Sequence, residues 1–154
     1  RELDSYRRNK VEFRDVTVHE EITLPGVSGK VLDMILEIAP ATECYSWFRL
    51  QIRKGEGFHT DITLFPQKGI IHLDRTYSGF PFDINHVREF PADFEDGRIC
   101  LRLLLDCYSA ELLFVGDGEQ TASMTLYSPG NAEGISFAAD APVRMSIQKY
   151  SLEV

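Results

Sequence analysis

Along most of this chain apolar residues recur at every second position, and that spacing restricts the fold more than any other feature of the sequence. In 31–39, Leu32, Met34, Leu36 and Ile38 fall on one face, and in 98–106, Ile99, Leu101, Leu103 and Leu105 do the same. In 109–115 the set is Ala110, Leu112 and Phe114, and in 143–153 Val143, Met145 and Ile147 alternate with Arg144, Ser146 and Gln148. A period of two puts successive side chains on opposite sides of a strand, so each segment has one face to bury. Segments 45–53, 58–65, 69–74, 121–127 and 134–139 are the remaining expected strands. No window of helical length carries an i, i+3, i+4, i+7 apolar stripe. Turn chemistry falls between the segments: Pro25-Gly26, Pro40, the three residues Pro66 to Lys68, Asp96-Gly97, Gly116-Asp117-Gly118 and 128–131. Asp-Gly pairs favour tight hairpins because glycine tolerates positive φ. Short strands with frequent turns predict an all-β fold, two antiparallel sheets packed as a jelly-roll or lectin-like sandwich.

A chain of 154 residues fits one domain and buries enough surface to fold without a metal or disulfide. Residues 11–154 are read as that single sandwich. The charged segment 1–10 is read as a linker arm, in which Leu3 and Tyr6 need a surface to cover them. The chain opens on Arg1 with no signal-peptide pattern and is read as a piece of a longer chain. Its formal net charge is −8, which argues against nucleic acid as a partner, since phosphate binding needs clustered Lys and Arg. No apolar run has the length of a membrane-spanning helix, and no membrane partner is expected. Cys44, Cys100 and Cys107 are odd in number and lack metal-ligand spacing. Read as reduced cysteines that pack as small hydrophobes, they favour a cytoplasmic over a secreted setting. No cofactor or metal is implied. The four histidines are scattered, with His59 and His72 placed where they could approach across a hairpin.

Four stretches resemble glycoside hydrolase family 32. RELDSYR (1–7) is similar to the arm that leaves that family's catalytic propeller, and LDRTYSG (73–79) looks like its LDR-x-x-SG strand and loop. LDCYSAELLFVGDGEQTAS (105–123) resembles its D-x-SS-VEVFVNDGE hairpin, matching at Asp106, Ser109, Glu111, Phe114, Asp117, Gly118 and Glu119 and departing at Cys107, Tyr108 and Gly116. GISFAADAPVRMSIQKYSLEV (134–154) resembles its closing strands. The family includes invertases, levanases, inulinases and sucrose-6-phosphate hydrolases. The resemblance implies the C-terminal β-sandwich of a β-fructofuranosidase-like enzyme, whose catalytic residues lie in a five-bladed propeller that precedes it.

A retaining glycosidase needs two carboxyls about 5–5.5 Å apart, one nucleophile and one acid/base. Two fragments here imitate the family's motifs. Glu43-Cys44 repeats the acid/base letters, and Phe13-Arg14-Asp15 repeats part of an Arg-Asp-Pro stabiliser, but Val16 replaces the proline. No WMNDPNG-like segment is present, and there is no G-x-S-x-G elbow or phosphate-cradling glycine loop. The chain is therefore expected not to be an enzyme by itself.

Two roles from different classes follow. The first is support for the propeller of the same chain, with Leu3, Tyr6 and Phe13 as residues of the seam and a homo-oligomer interface as a further use of that surface. Leu113 and Val115 are further seam candidates, though their apolar run also fits a strand buried on both faces. The second is binding of sucrose or a fructan, which aromatic platforms and paired polar groups would serve. Asp74, Arg75 and Tyr77 form one candidate group, and Trp47 with Arg49 forms another. Against this, Asp74-Arg75 is first read as an internal salt bridge that fixes the loop 76–79, and Trp47 as a core residue. A lectin-like sandwich unrelated to family 32 is the other fold-level alternative.

Overall fold

The alternating segments form strands, and the strands pair into two antiparallel sheets. The computed structural model describes residues 7–28, 32–55, 58–74, 87–92, 94, 96–105, 109–116, 118–125 and 134–152, with the backbone alone at 7–9, 53, 55, 58, 88, 109–116, 118–125 and 151–152. The strands are β1 (Arg7–Val18), β2 (Leu32–Pro40), β3 (Phe48–Gly55), β4 (Phe58–Phe65), β5 (Ile70–Asp74), β6 (Val87–Pro91), β7 (Ile99–Leu105), β8 (Ser109–Gly116), β9 (Gly118–Thr125), β10 (Gly134–Ala139) and β11 (Val143–Leu152). The first sheet has the order β1-β11-β2-β7-β8-β9 and the second β10-β3-β4-β5-β6.

Nine of these strands match the alternation, with β9 shifted three residues toward the N-terminus. Two do not. Residues 7–10, read as part of an arm, belong to β1, and 87–91 form β6, an unexpected edge strand. In β1 the buried-side residues run Val11, Phe13, then Val16 and Val18, because the register with β11 slips between Phe13 and Val16. The extra residue is a bulge, with Asp15 at φ +52°; aspartate tolerates the left-handed region better than most residues.

The core lies between the sheets. From the first sheet, Leu32, Met34, Leu36 and Ile38 meet Leu101, Leu103, Met145 and Ile147; from the second, Phe48, Leu50, Ile62, Leu64, Ile71 and Phe137 face them, all buried. Phe48 and Phe137 pack with ring centroids 6.4 Å apart. Two aligned sheets with interdigitated inner faces are the usual sandwich solution. Lys149 also lies among the buried residues of β11, and burial pushes its ammonium pKa down. The link 19–27 runs beside β10, where Ile22 and Phe137 exchange backbone hydrogen bonds of 2.8 and 2.9 Å. That cover leaves β10 buried on both faces from Ile135 to Ala139.

Two turns set strand positions. Lys68 N–H donates to the Phe65 carbonyl at 3.1 Å, closing the β4–β5 hairpin. Before β7, Asp96 and Gly97 have φ of +52° and +78°. The buried Tyr45 hydroxyl donates to the Gly97 carbonyl at 2.8 Å, and a Cβ on Gly97 would meet Pro40 Cγ at 2.8 Å. The turn therefore needs glycine both for its φ and for its close approach.

Candidate functional site

The outer face of the second sheet gathers most of the polar side chains singled out in the sequence. Alternation along each strand and the observed register place them in rows. One row runs Ala138, Arg49, Thr63, His72, Glu89, and the next runs Ser136, Gln51, Asp61, Asp74, Val87. Residues directly opposite one another on adjacent strands have Cβ atoms close enough to interact.

Within the second row the side chains are tied together. Gln51 Nε2 donates to Asp61 Oδ1 at 3.1 Å, and His59 Nδ1 lies 2.6 Å from the same oxygen. A carboxylate only accepts, so His59 Nδ1 carries the proton of that bond. Ser136 Oγ lies 3.2 Å from both Gln51 Oε1 and Glu21 Oε1, and its one proton serves one of them. Lys54 Nζ donates to Glu21 Oε1 at 2.6 Å and to Ser136 Oγ at 3.3 Å. The Lys54 bond, opposed by burial, holds the Glu21 carboxyl below its ordinary value. Gln51 and Ser136 are buried although they are on an outward face. Their bonding groups are consumed within the web, as buried polar atoms require.

At the end of this face stands Trp47. It is half-buried rather than a core residue, which corrects the first reading of it. The Arg49 guanidinium sits 5.5 Å from the centroid of its ring, so one face of the indole is already covered by a cation. Asp140 Oδ1 accepts from the backbone N–H groups of Ser46 and Trp47 at 2.8 and 3.1 Å. Burial would raise the Asp140 pKa, but these backbone donors outweigh it and the value is lowered. Among the described residues, Arg49 Nε is buried with no hydrogen-bond partner.

The structure thus brings Trp47, Arg49 and Asp74 to one face, with Asp61 beside Asp74. Arg75, Tyr77, Leu3 and Tyr6 lie outside the described residues, as do the side chains of Leu113 and Val115. Phe13 sits on β1 in the other sheet, packed against the core. His59 and His72 share a face but take different partners, Asp61 for one and an edge-on Phe65 ring at 6.3 Å for the other. Glu43 is exposed in the link before β3, and Asp15 is exposed at the β1 bulge. Cys44 is exposed and Cys100 is partly buried on the outward side of β7; only the second fits a packing role. Among the described residues no group of three His, Cys, Asp or Glu side chains is placed to hold a metal ion. Glu21, Gln51, Lys54 and Ser136 were missed from the sequence. Only the alternation Arg49, Gln51 on β3 hinted at one of them.

The sequence matches the family model described as "Glycosyl hydrolases family 32 C terminal" over residues 2–152. No curated protein matches it in sequence. Among solved structures, the fold is similar to exo-inulinase from Aspergillus awamori, with a TM-score of 0.78 at 21% identity over 98% of this chain and 31% of that one. It is also similar to fructan 1-exohydrolase IIa from Cichorium intybus, with a TM-score of 0.80 at 14% identity over 99% and 37%. Sucrose-6-phosphate hydrolase from Lactobacillus gasseri gives 0.78 at 15% identity over 99% and 30%. The chain spans about a third of the length of each of these structures.

Proposed function

Because the chain belongs to the family of glycosyl hydrolase family 32 C-terminal domains, we propose that it is the non-catalytic sandwich of a β-fructofuranosidase-like enzyme. In this reading a five-bladed N-terminal propeller of the same chain hydrolyses sucrose or a fructan, and the sandwich supports it. The observation that carries the reading is the extent of the likeness. The family match takes in nearly this whole chain, whereas the fructan- and sucrose-phosphate-hydrolysing enzymes of like fold are about three times as long. Asp61 and Asp74 are cross-strand neighbours on one sheet face, with Asp61 held by His59 and Gln51, so they are the carboxyl pair that an activity test must address. The test is fructose release from sucrose, inulin and levan. The 154-residue chain is expected to release none, and its removal from a longer enzyme of the family is expected to lower that enzyme's melting temperature. Release by this chain alone, lost in Asp61→Asn, would overturn the proposal.

A second reading, fructan binding, draws support from the same outer face, where Arg49, Thr63, His72 and Asp74 offer donors and acceptors beside Trp47. Arg75 and Tyr77 follow Asp74 in the chain and would extend it. Calorimetric titration with levan, inulin, sucrose and fructose checks this. Saturable binding lost in folded Arg49→Ala and Asp74→Ala variants would make the domain a sugar-binding module; no heat at millimolar sugar would leave support as its role.

A further inference from the structure

The outer face of the first sheet carries a groove that neither the web nor the core uses. It lies where β1, β11 and β2 run side by side and has a volume of about 410 Å3. The bulge in β1 makes it. Between Phe13 and Val16 the strand leaves register with β11, and Asp15 N–H donates to Ser146 Oγ at 3.2 Å across the gap. A bulge bends its strand and raises a lip beside its neighbour. Ile35, half-buried, contributes apolar lining, and Glu37 and Asp15 line the groove as exposed carboxylates.

The charges around it are unevenly matched. Glu12 is engaged by Gln148 Nε2 at 2.9 Å and has Arg14 Nε at 3.6 Å. Opposite Ile35 on β7 stands Arg102, which is bonded to Asp33 at 2.9 and 2.7 Å. Arg144, two residues from Ser146 on β11, makes no ion pair among the described residues. Glu37 and Asp15 likewise have no ion pair among the described residues. The second sheet's outer face differs, because its web has already paired its own donors and acceptors.

We propose that this groove is where the sandwich seats on the N-terminal catalytic part of the longer chain, and that it receives a basic side chain from that part. The apolar stem of an arginine or lysine would lie along Ile35, and its cationic head would meet Glu37 and Asp15. Such side chains bury their stems while the head stays in polar surroundings, and a carboxylate offers a guanidinium two parallel bonds. Two observations select this occupant. The structures of like fold carry about two-thirds of their length outside the matched region, and this chain, at net charge −8, presents for it two exposed carboxylates that make no ion pair among the described residues. The inference rests on the supporting role proposed above.

Carboxyl footprinting with a carbodiimide and an amine tests it, read by mass spectrometry on the 154-residue chain and on the longer enzyme. Glu37 and Asp15 should label several-fold more slowly in the longer enzyme, with Asp61 and Asp74 unchanged. Glu37→Lys should lower the melting temperature of the longer enzyme and restore labelling of Asp15, while leaving the melting of the 154-residue chain unchanged. Equal labelling of Glu37 and Asp15 in both proteins would overturn the groove assignment. If Asp61 and Asp74 are shielded instead, the supporting role stands and the groove does not. If no carboxylate on either face changes, the supporting role fails as well. Shielding that depends on protein concentration would assign the groove to a second copy and overturn the proposal.

Discussion

On the outer face of the first sheet a buried carboxylate is gripped by a guanidinium through two bonds, whereas on the outer face of the second the polar load is shared by six side chains. Asp33 is 0% exposed, and Arg102 grips it through Nε and Nη2. On the second sheet's outer face, Glu21 from the link 19–27 and the sheet residues Lys54, Ser136, Gln51, Asp61 and His59 each touch at least one other member of their web. A planar guanidinium on a buried carboxylate is a strong pairing, and losing it is costly because the carboxylate has little water to turn to. A web loses less when one member goes, since remaining donors and nearby water can reach the orphaned groups. The two faces thus solve the same problem, polar atoms hidden on an outward side, with opposite sensitivities.

The largest expected effect tests the single pair. Arg102→Met takes both guanidinium bonds from the buried Asp33 carboxylate and should cost about 3–5 kcal/mol. It is measured by urea unfolding followed through Trp47, the one tryptophan in the chain. Adding Asp33→Leu should recover most of that loss, because an apolar pair of similar volume needs no counter-charge. A double variant as unstable as Arg102→Met would show that the cost lies in packing, not in charge.

Breaking the web at its centre should cost less. Gln51→Ala removes one partner of Ser136 and one of Asp61 while leaving Ser136 its Lys54 and Glu21 contacts, and about 1–3 kcal/mol is expected by the same unfolding assay. A loss as large as that of Arg102→Met would erase the contrast between the faces. Tyr45→Phe, which removes the hydroxyl bond to Gly97, should cost about 1 kcal/mol. This removes a bond from the core edge and calibrates the web value.

The smallest effect lies at the web's exposed end. The Glu21 side chain is 48% exposed, so Glu21→Gln should change stability by a few tenths of a kcal/mol at neutral pH. Its pKa is lowered in the folded state from 4.5. The contribution is therefore complete above that unfolded value and is lost as pH falls through the lower folded one. Melting temperatures of the parent and Glu21→Gln proteins should differ slightly above about pH 5, to about the extent given, and converge as pH falls through the lowered folded value. A gap that widens toward acid would contradict the assigned direction.

How much of this was legible depended on the range of the interaction concerned. Period-two alternation is written residue by residue, so most strands could be read directly. β1 escaped because its bulge breaks the period, giving Val11, Phe13, Val16 and Val18 a spacing that fits neither a clean strand nor a helix. β6 escaped because five residues ending in Pro91 carry too little pattern. Trp47 was misplaced because a large aromatic next to a strand defaults to the core in a one-dimensional reading. The Asp140 bonds and the Arg49 contact that hold it half-out come from across the fold or from two residues on.

The sequence by itself determined the class: alternating apolar positions can be buried only by pairing strands and closing two sheets on each other. Residues at 73–79, 105–123 and 134–154 also carried the family likeness that the match over 2–152 bears out. Which polar groups meet was decided only by tertiary structure. Asp33 and Arg102 are 69 positions apart, Ser136 and Gln51 are 85, and Ser136 and Glu21 are 115. Strand order and register bring such pairs together, and both are global outcomes of burying every apolar face at once, so no local stretch of sequence encodes them.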